Sequence, residues 1–352
     1  MASPDTQSAR TVFVTGGAGF LGINLIRYLL DRGFAIVSFD LAAFDYAERD
    51  RIKAITGDIR NVDALCDAMQ GCDVVVHCAA ALPSYPVEAI MSTEVAGTRN
   101  VLRAAVDTGI RRVIHISSTA VYGTKASGAS EASEVEVIGP YAEAKILAEE
   151  ECEPFRAAGM CIPVLRPKTF VGPERLGIWS ILYDWAHAGS GFPLIGRGDN
   201  RYQLLDVEDL CDAIYATMLG DDSQVNTIFN IGAREFGTMR EDFQAVLDHA
   251  GHGRKVRALP AAPIIAMLKI LEALKLSPVY EWVYETAVVD SWVSIERAER
   301  LLGFRPRYSN RQALIRNYDW YVSHQASFAR TTGISHRTPW NQGLIGLGKK
   351  IF

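Results

Sequence analysis

Short apolar runs alternate with stretches in which apolar residues recur every three or four positions, and the alternation persists through the first half of the chain. Strands are predicted at 11–15, 36–40, 52–57, 73–78, 112–117 and 161–166, with helices between most of them. That alternation predicts an α/β chain with a doubly wound parallel sheet covered on both faces, followed by a smaller C-terminal α/β substrate region. Segments 88–108 and 141–158 are the two long helices, each expected to cover one face of the sheet. From about residue 167 the elements shorten, Pro and Gly become frequent, and all six tryptophans appear. The expected division is a flexible tail at 1–10, a main domain at 11–166, a region at 167–325 with some strands returning to the sheet, and a basic-apolar tail at 326–352. The apolar stretch 263–274 reads as a core helix, with a wall for an apolar substrate or a membrane-facing patch as its alternatives. It is too short to span a bilayer.

The first strand leads into Thr15-Gly16-Gly17-Ala18-Gly19-Phe20-Leu21-Gly22, and helical periodicity begins at once. A GxGxxG string between a strand and a helix is the context for dinucleotide binding. Gly17 is expected to permit the tight turn, Gly19 to let the backbone approach a pyrophosphate, and Gly22 to let helix and strand pack closely. Free N–H groups and the positive dipole end of the helix favour the anion. The second strand ends in Asp40, about twenty residues past the loop, where an acid hydrogen-bonds a ribose 2′-hydroxyl and repels a 2′-phosphate. Leu41 follows instead of an Arg, so the cofactor implied is NAD.

Tyr141 and Lys145 are four residues apart and share one helix face. An unperturbed Tyr, with a pKa near ~10, is a poor base at neutral pH. A neighbouring ammonium and a positive nicotinamide favour its phenolate. Ser118 closes the fifth strand and can hydrogen-bond a substrate oxygen while Tyr141 moves the proton. These three are the candidate catalytic residues.

Composition narrows the classes. The chain has 352 residues, 49% hydrophobic and 22% charged, with a net charge of −5 that gives no reason to expect nucleic acid. Six scattered cysteines form no Cys-x-x-Cys, so neither a zinc site nor a disulfide framework is suggested, and a cytoplasmic setting fits. His249 and His252 read as a loop between helix and strand, not as a metal pair; no metal is expected.

The chain resembles the extended short-chain dehydrogenases/reductases, in the branch of NAD-dependent epimerases and dehydratases, from residue 11 to about 321. The resemblance rests on the Thr15–Gly22 loop, Gly57-Asp58-Ile59, His77-Cys78-Ala79-Ala80, Ser117-Ser118-Thr119-Ala120-Val121-Tyr122-Gly123, Tyr141-Ala142-Glu143-Ala144-Lys145, Leu165-Arg166-Pro167 through Gly172-Pro173, Val207-Glu208-Asp209-Leu210, and Leu302-Gly303-Phe304-Arg305-Pro306. It implies a Rossmann fold in which Gly16, Gly19, Phe20, Leu21, Gly22, Asp40, Asp58, Ile59, Ala79, Tyr141 and Lys145 contact NAD, with Asp58 and Ile59 at the adenine. It also implies a homodimer paired through helices 88–108 and 141–158.

Three departures bear on the substrate. Glu94 precedes Val95-Ala96-Gly97-Thr98 where the family often has Asn. Thr169 stands near the position of an Asn that holds the diphosphate in sugar-nucleotide epimerases, and Tyr202 where they place an Arg, with Arg201 beside it. Glu94, Thr119, Lys168, Thr169 and Arg201 are the candidate substrate residues. The first functional expectation is an epimerase of a nucleotide- or lipid-linked sugar. Dehydration is disfavoured because Thr119-Ala120 replaces the Asp-Glu of sugar dehydratases. The alternative is an oxidoreductase of a lipid or steroid-like alcohol, similar to the 3β-hydroxysteroid dehydrogenases. After Asp319 the chain holds no acid, while Arg330, Arg337, Lys349 and Lys350 are basic. That tail reads either as a segment folded over its own or a partner subunit, or as a peripheral contact with an anionic membrane.

Overall fold

The computed structural model describes residues 10–274, 284, 287–328 and 349. β1 (Thr11–Thr15) has Val12, Phe13 and Val14 fully buried, as a strand covered on both faces requires. It pairs in parallel with β2 (Ala35–Asp40) on one side and β4 (Val74–His77) on the other. β3 (Lys53–Thr56) flanks β2, while β5 (Val113–Ile116) and β6 (Val164–Pro167) extend the sheet beyond β4. After the short strands β7 (Phe170–Val171), β8 (Phe192–Ile195) and β9 (Leu205–Asp206) comes β10 (Ile228–Ile231), the seventh strand, which lies at the edge. The order is β10-β6-β5-β4-β1-β2-β3. Strand order reverses between β1 and β4, and the carboxyl ends at such a switch point are where open α/β sheets bind ligands.

Two compact units share the chain. The first comprises residues 1–117, 143–165 and 214–228, and the second 118–142, 166–213 and 229–352. In the first, Phe13, Phe39, Leu65, Met69, Val75, Val101, Leu102 and Val164 form the core under α2 (Val62–Met69) and α4 (Gly97–Asp107). Each such side chain contributes about 1.5–3 kcal/mol when fully buried. Arg112 fastens β5 to the later segment by donating to the carbonyls of Thr217, Met218 and Gly220. The second unit has its own core of Leu182, Tyr183, Leu194, Leu204, Leu247, Val256, Leu314 and Tyr318. Two small parallel pairs lie in it, β7 with β9, and β8 with β11 (Val256–Leu259).

Three sequence expectations differ from the structure. The segment 88–108 is not one regular helix: α3 (Val87–Met91) and α4 are joined by a π turn at Ser92–Ala96. Pattern alone does not reveal one inserted residue, because apolar spacing is kept on either side of it. The sixth strand begins at Val164, since residues 161–163 contribute only the bridge from Arg112 to Cys161. The apolar helix α10 (Ala261–Ala273) buries Leu268, but Met267 and Ile270 are exposed, as is Leu274 just beyond it, along one stripe. A segment apolar on most faces carries little moment to say which face turns inward.

Candidate active site

The first unit holds the glycine loop. Gly16 sits at φ +67°, and a Cβ there would lie 2.7 Å from the Ala79 nitrogen. The tight turn thus belongs to Gly16, not Gly17 as expected; Gly17 is required instead because a Cβ would meet Ser38 Oγ at 2.1 Å. Gly22 lets α1 (Phe20–Leu30) close on the loop, where a Cβ would meet the Gly16 carbonyl oxygen at 2.2 Å. Gly19 is the N-cap of α1 and supplies no side-chain cap, which suits a helix start that receives an anion, with Phe20 and Leu21 opening its first turn. Asp40 Oδ2 accepts the Ala18 N–H at 3.0 Å and Oδ1 that of Ala42 at 2.8 Å. Each carboxylate oxygen keeps a lone pair for a ribose hydroxyl. This cradle fits a dinucleotide.

Around it, Thr15 Oγ1 accepts the Ala79 N–H at 3.1 Å and lies 2.7 Å from His77 Nδ1. Asp58 is gripped by Arg60, whose guanidinium and backbone N–H both donate to it and hold its carboxyl below the usual range. Ile59 is buried, its Cδ1 lying 2.4 Å from where a Gly97 Cβ would sit.

Lys145, one turn after Tyr141 on α5 (Gly139–Ala157), is 2% exposed. Its Nζ donates to the Ile116 carbonyl at 3.1 Å and lies 2.9 Å from Glu94 Oε2. Burial and the lysine charge hold His77 down to about 3, and His115 well below the ordinary histidine value. Neither ring nitrogen of His115 has a hydrogen-bond partner. Both histidines are therefore neutral through the physiological range.

The second unit holds Ser118, Thr119 and Tyr141. Ser118 is half-buried, and its Oγ accepts the Ala120 N–H at 3.1 Å, capping the 3₁₀ segment Thr119–Ala126. Thr119 donates to the Pro167 carbonyl at 3.3 Å. Behind the segment, Tyr122 OH donates to Asn230 Oδ1 and accepts from Arg166, both at 2.8 Å. Sequence reading quoted Tyr122 and Arg166 only as parts of motifs and missed Asn230; a lone Asn in a four-residue strand gives no local signal.

Lys168 is 3% exposed, donates to Ser291 Oγ at 2.6 Å, and sits 4.9 Å from the centre of the Tyr202 ring. Burial brings it down to about 7. Thr169 Oγ1 and Tyr202 OH lie 3.0 Å apart. Arg201 does not join them. It is exposed, with its guanidinium 4.6 Å from the centre of the Phe236 ring and its backbone N–H donating to Asp290. Tyr202, its neighbour, is turned toward Thr169 instead.

Among known proteins, the uncharacterized protein y4nG of Sinorhizobium fredii is 34% identical over 96% of this chain and 85% of its own. A 3β-hydroxysteroid dehydrogenase/Δ5→4-isomerase of Mycobacterium tuberculosis is 27% identical over 92% of this chain and 93% of its own. The crystal structure of DesIV, a dTDP-glucose 4,6-dehydratase of Streptomyces venezuelae solved with NAD bound, matches with a TM-score of 0.73. It is 25% identical and covers 90% of this chain and 98% of its own. The family model for the NAD dependent epimerase/dehydratase family matches residues 12–232, and with the glycine cradle and the seven-stranded sheet this establishes that the chain is an enzyme of that family.

Proposed function

We infer that the protein transfers a hydride at a secondary hydroxyl of its substrate, using Tyr141 as the proton-transfer group. The observation that carries this is Lys145, buried one turn from Tyr141 as a salt-bridged ammonium. NAD held at the glycine loop would supply the hydride acceptor and donor for the carbinol carbon. Tyr141 takes the hydroxyl proton on oxidation and gives it back on reduction. Lys145 stabilises the phenolate and binds the nicotinamide ribose, while Ser118 orients the substrate oxygen. Gly16, Gly19, Phe20, Leu21 and Gly22 receive the pyrophosphate, Asp40 the ribose, Asp58 and Ile59 the adenine.

The substrate we favour is a sugar that is epimerised with no net redox change. The mutual hydrogen bond of Thr169 and Tyr202 weakens the case for a nucleotide diphosphate, because the pair brings no guanidinium to clamp one. The same pair supports a second reading, net oxidation of a lipid or steroid-like alcohol, in line with the steroid dehydrogenase relative. NADH absorbance separates them. Incubation with excess NAD and a sugar should give the epimer with no NADH accumulating, whereas a steroid-like alcohol turned over with stoichiometric NADH would establish the second reading.

A homodimer through α3–α4 and α5 belongs to this proposal, and sedimentation equilibrium tests it. For the tail, Lys349 pairs with Asp184 at 2.7 Å and its carbonyl accepts from Ser190, which supports the folded-back alternative; Arg330, Arg337 and Lys350 lie outside the described residues. Cosedimentation with anionic vesicles at low salt would restore the peripheral membrane reading.

A further inference from the structure

Glu94 lies at the centre of the π turn, in which the Gly97 N–H donates to the Ser92 carbonyl five residues back. The widened turn carries the Glu94 side chain inward to 1% exposure. Its Oε1 accepts the Ala81 N–H at 2.8 Å, and its Oε2 meets Lys145 Nζ at 2.9 Å. An acid is thus buried in contact with the one cation that the hydride step uses.

We propose that Glu94 is a positioning residue that fixes Lys145 in place and keeps it an ammonium at alkaline as well as neutral pH. The functional part of this rests on Lys145 as the cofactor's ribose ligand; the electrostatic part does not. Burial disfavours a charged lysine, and a carboxylate in contact reverses that preference. Glu94 brings its carboxylate to ion-pair distance of the ammonium, and other titratable groups surround the pair. His77 and His115 are held neutral, and the Cys78 thiol is pushed up to about 12, so it too stays uncharged. On α5 itself, Tyr141 lies one turn before Lys145, and Glu149 one turn after it accepts the Ser117 hydroxyl. Removing one member of a buried pair weakens the compensation of its partner's charge, and a buried lysine then gives up its proton more readily.

The test is Lys145's own titration, followed by NMR of protein carrying ¹³Cε-labelled lysine, with its signal assigned by its loss in Lys145→Met. In the wild type that signal should remain at the ammonium position up to about pH 10, near the ordinary lysine value. In Glu94→Gln, whose single carbonyl must serve both Ala81 and Lys145, it should titrate at least tenfold more readily, a shift of about one pH unit or more. Glu94→Asp, which keeps the charge, should restore the wild-type behaviour. NADH affinity should then fall between pH 7 and 9 in Glu94→Gln and stay level in the wild type. Equal titration of Lys145 in wild type and Glu94→Gln overturns the proposal. So does a wild-type Lys145 that loses its proton below about pH 9, whether or not any variant folds. If the titration shifts while NADH affinity stays level, the hold of Glu94 on Lys145 stands and the ribose role of Lys145 falls.

Discussion

Asp40 clamps the glycine loop as well as terminating β2: its Oδ2 accepts the Ala18 N–H at 3.0 Å, across twenty-two residues of chain. Replacing it therefore loosens the cradle in addition to removing the proposed ribose acceptor. Asp40→Ala should weaken NAD binding by tenfold or more, and Asp40→Asn, which retains an acceptor for Ala18, by less. Leu41 is exposed, so adding Leu41→Arg to Asp40→Ala should raise NADP affinity relative to NAD. Parallel titrations of both cofactors check this, and a wild type that binds NADP more tightly refutes the assignment.

Tyr141→Phe deletes a hydroxyl and little volume. Turnover should fall by about 10²-fold or more while NAD affinity stays within a few-fold. Lys145→Met should lower both. Steady-state kinetics with cofactor titration distinguish the two, and a Tyr141→Phe enzyme within a few-fold of wild type removes Tyr141 from the mechanism.

Lys168 gives the stability of the protein a pH dependence of known sign. Its folded-state value is brought down to about 7 by burial, below that of an unfolded lysine, so the unfolded chain binds more protons between those values. The penalty is full below pH 7 and is relieved as pH rises toward 10. Lys168→Met should raise the melting temperature at pH 7 by roughly 3 °C or more, and by less at pH 10. Calorimetry at the two values checks it; an equal shift at both would show that the amine is not buried as a charge.

Much of the first unit was legible because its signals are local. β1 spans the predicted 11–15, and β2 to β5 differ from prediction by a residue at each end at most. The glycine loop, Asp40 and the Tyr141/Lys145 spacing are likewise readable along a few residues. What stayed hidden depends on partners far apart in sequence. Strands of the later region were expected to return to the sheet, but β10 could not be placed, because Ile228-Phe229-Asn230-Ile231 is short and carries a polar residue whose value appears only with Tyr122, 108 positions away. Glu94 stood out as a departure from a pattern, but its pairing with Lys145 required the π turn to be seen.

Tyr122→Phe removes the hydroxyl shared by Arg166 and Asn230 in a buried setting. Leaving such groups without their partner costs about 1–3 kcal/mol, and the denaturation midpoint should drop accordingly. Because the hydroxyl braces the segment that starts at Ser118, turnover should fall with it. An unchanged midpoint in a urea titration would mean that the network relaxes at no cost.

The chain leaves one unit for the other after Ser117, Ala142, Leu165, Ala213 and Ile228. Neither unit is therefore a contiguous stretch of the gene. During synthesis the seven-stranded sheet cannot gain β10, one of its two edge strands, until residue 231 has left the ribosome, long after β1 to β6 have emerged. A fusion or truncation placed at the apparent boundary near residue 166 would strip β6 of its neighbour and expose an unpaired strand edge. The two units are thus inherited together, and neither can be exchanged as one contiguous segment.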